Sequence, residues 1–207
     1  MRIEIPSDIH KEDVFDFLCD NKQLHLDAKK NEIKLADAIS TPVFVGSEKS
    51  SEKAEILNPE DINKLEADLV INTTRIFDSH RDVHIDGLWK KSLRETKDHY
   101  LLQEHQMRFD KVISDDIKAA AIMKTWRELG FTKLAGSTEA LMFLAMIEKQ
   151  RNGFMFDQYA RGYVKNHSVG MQYVKLDLAI NSEEQRYKEE KKVWDKYYEI
   201  IANRKRS

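Results

Sequence analysis

From Leu65 the chain turns to runs patterned for strands. "LEADLVINTTRIF" and "HYLLQEH" read as strands, while "IKAAAIMKTW" and "EALMFLAMI" read as further strands or as buried helical pieces. "GYVKNHSVGMQYVKL", residues 162–176, reads as another strand reaching to about Ile180. Between the first two lies "DSHRDVHIDG", too polar for a core strand and suited to a functional loop.

Helical signals frame these runs, so the expected class is α+β. In "PSDIHKEDVFDFLCDNKQLHL", Ser7 or Asp8 is a candidate N-cap and Val14, Phe15, Phe17 and Leu18 form an apolar face. "LWKKSLRET" predicts a short helix. Asn152 is placed to cap "GFMFDQYA", and Gly162 to end it. In "SEEQRYKEEKKVWDKYYEIIANRKRS", Tyr187, Trp194, Tyr197, Tyr198 and Ile201 fall on one helical face and the charges on the other, which is expected to be solvated. The stretch "GSEKSSEKAE", 46–55, has nothing to bury and predicts an exposed linker. It divides an N-terminal helical arm, 1–55, from a main domain, 56–207, and as an exposed polar loop is the expected place for proteolytic nicking.

The 207 residues suffice for a core without covalent staples. Cys19 is the only cysteine, which excludes an internal disulfide and a cysteine-rich zinc site and fits a reducing compartment. A net charge of −2 offers no electrostatic case for nucleic acid. The start lacks an apolar signal region, and no run approaches the roughly 20 apolar residues of a membrane span. Neither nucleic acid nor membrane is therefore an expected partner.

Two clusters could carry chemistry. Ser168 lies between His167 and Gly170, and on a strand His167 faces the opposite side, so it is a poor base for the hydroxyl. A base must then come from elsewhere. His105, at the end of "HYLLQEH", is the best candidate, because a strand end sets an imidazole at a rim. A lone serine in a strand is more often structural than nucleophilic. In the second cluster Asp78, His80, Asp82 and His84 alternate and would share one face of an extended segment, as ligands for zinc or manganese. The plainer reading is a solvated loop whose aspartates bond local amides. It is preferred because no further histidine or cysteine cluster at ligand spacing appears, so no metal or cofactor is expected.

Taken in order, "NTTRIFDSHRDVHIDGLWKKSL", "LLQEHQMRFDKVIS" and "NHSVGMQY" resemble the prohead (capsid maturation) serine proteases of tailed bacteriophages, themselves similar to the herpesvirus assemblins. The resemblance spans about residues 65–180. It rests on an aspartate-rich segment with a glycine (Asp82, Gly87), a histidine at a strand end (His105) and a Ser-hydrophobic-Gly strand (Ser168, Val169, Gly170). It implies a mostly antiparallel β-barrel flanked by helices. It also implies an endopeptidase acting in the host cytoplasm inside the assembling procapsid, on scaffold or the scaffolding arm of the major capsid protein, and on itself.

Ser168 and His105 would be catalytic, with Asp82, His167 and Gly170 as site support; homo-oligomer formation is left open. Arg81 stands where related segments often carry glycine. The family runs on into a further strand bearing the third catalytic carboxylate, so that group is expected outside this chain. Asp177, nine residues past Ser168, is too far along a straight strand, and the later acids lie on or near the final helix. The alternative reading is a catalytically incomplete capsid-assembly or scaffold protein that keeps the protease-like fold.

Overall fold

The computed structural model describes residues 5–37, 44–46, 59–78 and 80–204. The chain divides into two compact units, one of residues 37–169 and the other of 1–36 with 170–207. The linker expected at 46–55 and the domain boundary drawn there lie, apart from Gly46, outside the described residues.

The larger unit is built on an antiparallel sheet. In β3 (Lys64–Thr73), Leu65, Ala67 and Leu69 are buried while Glu66 and Asp68 are exposed, the alternation of a strand with one wet face. From Val70 to Thr73 every residue is buried, so the strand's end is covered on both faces. β3 pairs with β7 (Ser137–Glu148) from Lys64↔Glu148 to Thr73↔Ala140, with a register shift between Val70 and Asn72. β7 pairs on its other side with β6 (Asp116–Thr125), and β2 (Phe44–Gly46) lies along β3, giving the order β2-β3-β7-β6. The register sets Leu65, Ala67 and Leu69 opposite Ile147, Ala145 and Phe143, all buried. Each large side chain so placed contributes roughly 1.5–3 kcal/mol. The runs left open between strand and buried helix are thus strands.

Three shorter pieces complete this unit. β4 (Leu101–Leu102) pairs with β5 (Val112–Ser114). α3 (Lys90–Glu95) is the short helix expected from "LWKKSLRET". α4 (Gly153–Ala160) starts where Asn152 Oδ1 accepts the Met155 N–H at 3.1 Å, and the chain leaves it through Gly162, whose φ of 69° suits glycine. Among the described residues the sheets are antiparallel and none is closed into a barrel.

The other unit contains α1 (Val14–Asp20), α2 (Lys22–Asn31) and α5 (Lys188–Tyr197), with α1 joined to the turn before α5 and Lys22 of α2 joined to Glu190 of α5. Neither Ser7 nor Asp8 caps: the first turn is 3-10, Lys11–Asp13, and α1 follows it without a side-chain cap. Phe15 meets Tyr187 edge to face at 5.9 Å, and the Tyr187 hydroxyl donates to Asp16 Oδ1 at 2.5 Å. Tyr187 and Ile201 are buried and Trp194 stacks on Tyr198, but the single helical face expected for the five residues is broken up: only Trp194 and Tyr197 lie in α5, Tyr187 and Tyr198 being in 3-10 turns at its ends and Ile201 beyond them. The charged face is not wholly solvated, however. Glu190 is buried and bonded to Lys22 at 2.5 Å; burial would raise its pKa, but the lysine outweighs burial and holds it below the carboxylate range. A further difference concerns "GYVKNHSVGMQYVKL": only Ser168–Met171 is strand, β8, forming a two-stranded sheet with β1 (Lys34–Asp37). No described helix is long and apolar enough to cross a membrane.

Candidate active site

The segment between β4 and β5 carries His105. Its two ends are fixed in the core, since Leu101, Val112 and Ile113 are buried and the Ser114 hydroxyl donates to the Met146 carbonyl at 2.6 Å. The chain must reverse between those anchors. It does so through a 3-10 turn, Gln103–His105, in which Glu104 and His105 have φ of 54° and 55°. Left-handed backbone costs roughly 1–2 kcal/mol for each residue bearing a Cβ, so two in succession persist only because the flanking strands impose them. "HYLLQEH" is therefore a two-residue strand followed by a strained turn, not a strand with histidine at its tip.

The turn directs the imidazole to Ser168. His105 Nε2 and Ser168 Oγ are 2.6 Å apart, a short hydrogen bond between groups that are both partly buried. In the orientation with the hydroxyl as donor, Nε2 is positioned to take the proton as Oγ attacks an electrophile. No carboxylate among the described residues bonds the His105 ring. The acids that follow Ser168 are engaged elsewhere: Asp177 with Lys175, Glu183 and Asp195 with Lys191, and Glu184 with Arg186. Glu189 pairs with Lys192, Glu190 with Lys22 and Glu199 with Arg204.

His167 has a separate environment. Its Nε2 bonds the Tyr159 hydroxyl at 2.9 Å, and the rings stack 26° from parallel with centroids 6.0 Å apart. Burial pushes the imidazole pKa down to about 4 and raises that of the tyrosine. Near neutral pH both groups are therefore uncharged, and the ring's other nitrogen, Nδ1, is buried without a hydrogen-bond partner among the described residues. His167 thus serves α4, and Ser168 is turned away from it. Gly170 follows Ser168 in the same short strand and is exposed.

The polar loop after β3 turns back on itself. Phe77 bridges Val83, and Asp78 Oδ1 accepts the N–H groups of His80 and Asp82 at 2.8 and 2.9 Å. Arg81 has φ 59°, the conformation a glycine would take without strain. The bend breaks the alternation that would align His80, Asp82 and His84. His84 is a core residue, 7% exposed, with Nδ1 bonded to Asn72 Oδ1 at 3.0 Å and its ring edge to face with Trp89. No group of three or more metal-ligating side chains is found among the described residues. Asp82 makes no hydrogen bond to His105 or Ser168.

A polar network behind this loop escaped the sequence reading. Thr74 and Thr138 are fully buried; the Thr138 hydroxyl donates to the Thr74 carbonyl at 2.8 Å, and the Thr74 hydroxyl donates to Asp86 Oδ1 at 2.8 Å. Arg75 grips both Asp86 oxygens and donates to the Ser137 carbonyl at 3.0 Å. Burial would raise the Asp86 pKa, but hydrogen bonds from Arg75 and Thr74 and the arginine charge lower it. The Gly87 N–H, in a turn with φ 85°, donates to Glu139 Oε1 at 2.8 Å. The only sequence signal was a cluster of polar residues, "TTR" and "STE", at the ends of apolar strands.

No family model, curated protein or solved structure matches this chain.

Proposed function

We propose that this chain is a serine endopeptidase of the capsid-maturation class, acting on scaffold, on the scaffolding arm of a major capsid protein and on itself, inside an assembling procapsid in the host cytoplasm. The supporting observation is the 2.6 Å approach of His105 Nε2 to Ser168 Oγ. In this mechanism Ser168 Oγ attacks a peptide carbonyl carbon while its proton passes to Nε2. The tetrahedral adduct collapses as the imidazolium returns that proton to the leaving amine, and an acyl-serine ester remains. Water then repeats the sequence, with the same imidazole as base, to release the acid and restore the serine. The barrel expected of this class would require the outer strands β2 and β6 to be joined through further strands, and it belongs to the proposal.

A fluorophosphonate probe tests the reading, since it phosphonylates a serine only where a neighbouring base activates it. Ser168 should be labelled, and Ser168→Ala should abolish the adduct. A folded protein with no adduct at Ser168 would overturn the assignment. A second reading, a capsid-assembly protein with a protease-like fold and no turnover, is favoured by the lack of a bonded carboxylate on the His105 ring among the described residues. Cleavage of a co-assembled capsid protein by the wild type, lost in Ser168→Ala, would exclude it.

A further inference from the structure

β6 is an outer strand of the four-stranded sheet, paired to β7 along its whole length and to no strand on its other side among the described residues. Every second residue of this ten-residue strand directs its backbone donor and acceptor away from β7, and those groups form a template for another strand. Nothing in β6 blocks such pairing. It has no proline, glycine or bulge, its centre is Ala119, Ala120 and Ala121, and its pairing with β7 is regular from Asp116↔Met146 to Thr125↔Ser137. Ile122 and Met123 are 40% and 52% exposed.

Charge decides what fits there. β6 carries Asp116 near one end, Lys124 near the other and Lys118 between them. Within its own chain Lys124 feels the carboxylates of Asp68 and Glu128, but neither Lys124 nor Asp116 forms an ion pair among the described residues. Two copies of the strand can lie antiparallel about a two-fold axis only if the axis is normal to the sheet. Like faces then stay together, and registers differ by steps of two residues.

With the axis at Ala120, each Asp116 faces the other copy's Lys124, Ile117 faces Met123, Lys118 faces Ile122, and Ala120 faces itself. The neighbouring register on one side sets Lys118 against Lys124. The one on the other side sets Lys124 against Ser114 and leaves Asp116 facing Ile122. Only the register centred on Ala120 pairs opposite charges at both ends while covering Ile122 and Met123. An edge lysine usually guards against pairing; here the matching aspartate converts it into a register pin.

We propose that β6 is a self-association edge, through which two copies of the chain pair β6 to β6 about a two-fold axis at Ala120 and join their sheets into one. A single strand pair covers less than the roughly 1,600 Å² of a standard interface, so the dimer should dissociate on dilution. Sedimentation velocity over a wide concentration series should therefore show the wild type passing from monomer to dimer. Asp116→Lys alone and Lys124→Asp alone each set like charges at both ends and should weaken the dimer about tenfold or more. An equimolar mixture of these two variants should recover wild-type association, because each copy supplies the charge the other lacks.

Circular dichroism checks that both variants fold. Independently, Ala120→Cys in a Cys19→Ser background should cross-link two copies on mild oxidation. Facing Cα atoms in an antiparallel pair lie about 4.5–5.5 Å apart, within disulfide reach. Asp116→Cys in the same background should not cross-link. Monomer at every concentration, single-charge variants that dimerise like the wild type, a mixture that stays monomeric, or equal cross-linking at both cysteine positions would each overturn the proposal.

Discussion

Ser168 is associated with two histidines, one adjacent to it in the chain and one 63 residues away, and the distant one is bonded to it. The turn carrying His105 is strained, partly open and held by strands on both sides. The segment carrying His167 is relaxed, and its ring is enclosed against Tyr159. A ring that must accept and release a proton needs access and a fixed direction, whereas a ring that packs needs burial and one satisfied nitrogen. The peptide geometry of Ser168 makes its neighbour unavailable, since adjacent side chains diverge. The long loop from β4 to β5 brings in the other imidazole at the expense of two left-handed residues.

The sharpest way to break this comparison is to remove each ring in turn. On the proposed mechanism His105→Ala lowers peptide hydrolysis by about 10⁴-fold or more, because it removes the one group among the described residues that is placed to take the Ser168 proton. His167→Ala should reduce turnover far less, once rates are compared below its lowered melting temperature. Hydrolysis assays on both, with thermal melts, decide between them. Greater loss from His167→Ala at matched folded fraction would reverse the roles assigned to the two histidines.

Acid should separate the two histidines by stability. The folded state holds His167 neutral down to about pH 4, while in the unfolded chain the ring takes a proton near its ordinary 6.5. Between those values the unfolded state binds the extra proton, so stability rises with pH across that window. The His167 contribution is fully present above about pH 6.5 and is lost as the pH falls to 4, a change of up to about 3 kcal/mol. Urea titrations of wild type and His167→Asn at pH 7 and pH 4.5 test this. The wild type should lose more stability on acidification than the variant; an equal loss in both would show that His167 is not held neutral by burial.

How much of this was legible in the sequence depends on how local each cause is. β3 is written in its own alternation, and the cap at Asn152 and stop at Gly162 in their own residue types, whereas the apolar runs of β6 and β7 fit strand and buried helix alike until their pairing is seen. His105 and Ser168 could be singled out, since a strand's period excludes His167 without knowledge of the fold. What failed depended on distant partners. Glu190 is buried because Lys22 reaches it from the far end of the chain, and Asp86 is held by Arg75 and Thr74 across a loop. The left-handed turn at Glu104 is imposed by where β4 and β5 are anchored, and neither Glu104 nor His105 is a residue type that announces it.

Smaller perturbations sharpen the contrast. Tyr159→Phe removes the one hydrogen-bond partner that the His167 ring has among the described residues and leaves both its nitrogens unpaired there, at a cost of about 1–3 kcal/mol. Its effect on turnover should be confined to that loss of folded protein. If Tyr159→Phe instead lowers kcat at full folding, the Tyr159–His167 pair also positions Ser168.

The smallest expected effect is on the other side, at Glu104. Its side chain is exposed and among the described residues bonds only Gln106, at 3.2 Å, so removing it costs little directly. Glycine at φ 54°, ψ 32° relieves a left-handed penalty of roughly 1–2 kcal/mol. It also adds roughly 0.5–1 kcal/mol of backbone entropy to the unfolded chain. Glu104→Gly should therefore stabilise the protein by about 1 kcal/mol or less. The same freedom loosens the turn that directs His105 at Ser168, so hydrolysis should fall several-fold even as the melting temperature rises, a separation that simple relief of strain would not produce. No equivalent gain is open at the His167 segment, whose backbone has no left-handed residue between Gly162 and Ser168. Loss of stability in Glu104→Gly would mean that the turn is held by its side chain and not imposed by its strands, and the account of how His105 is aimed would fail with it.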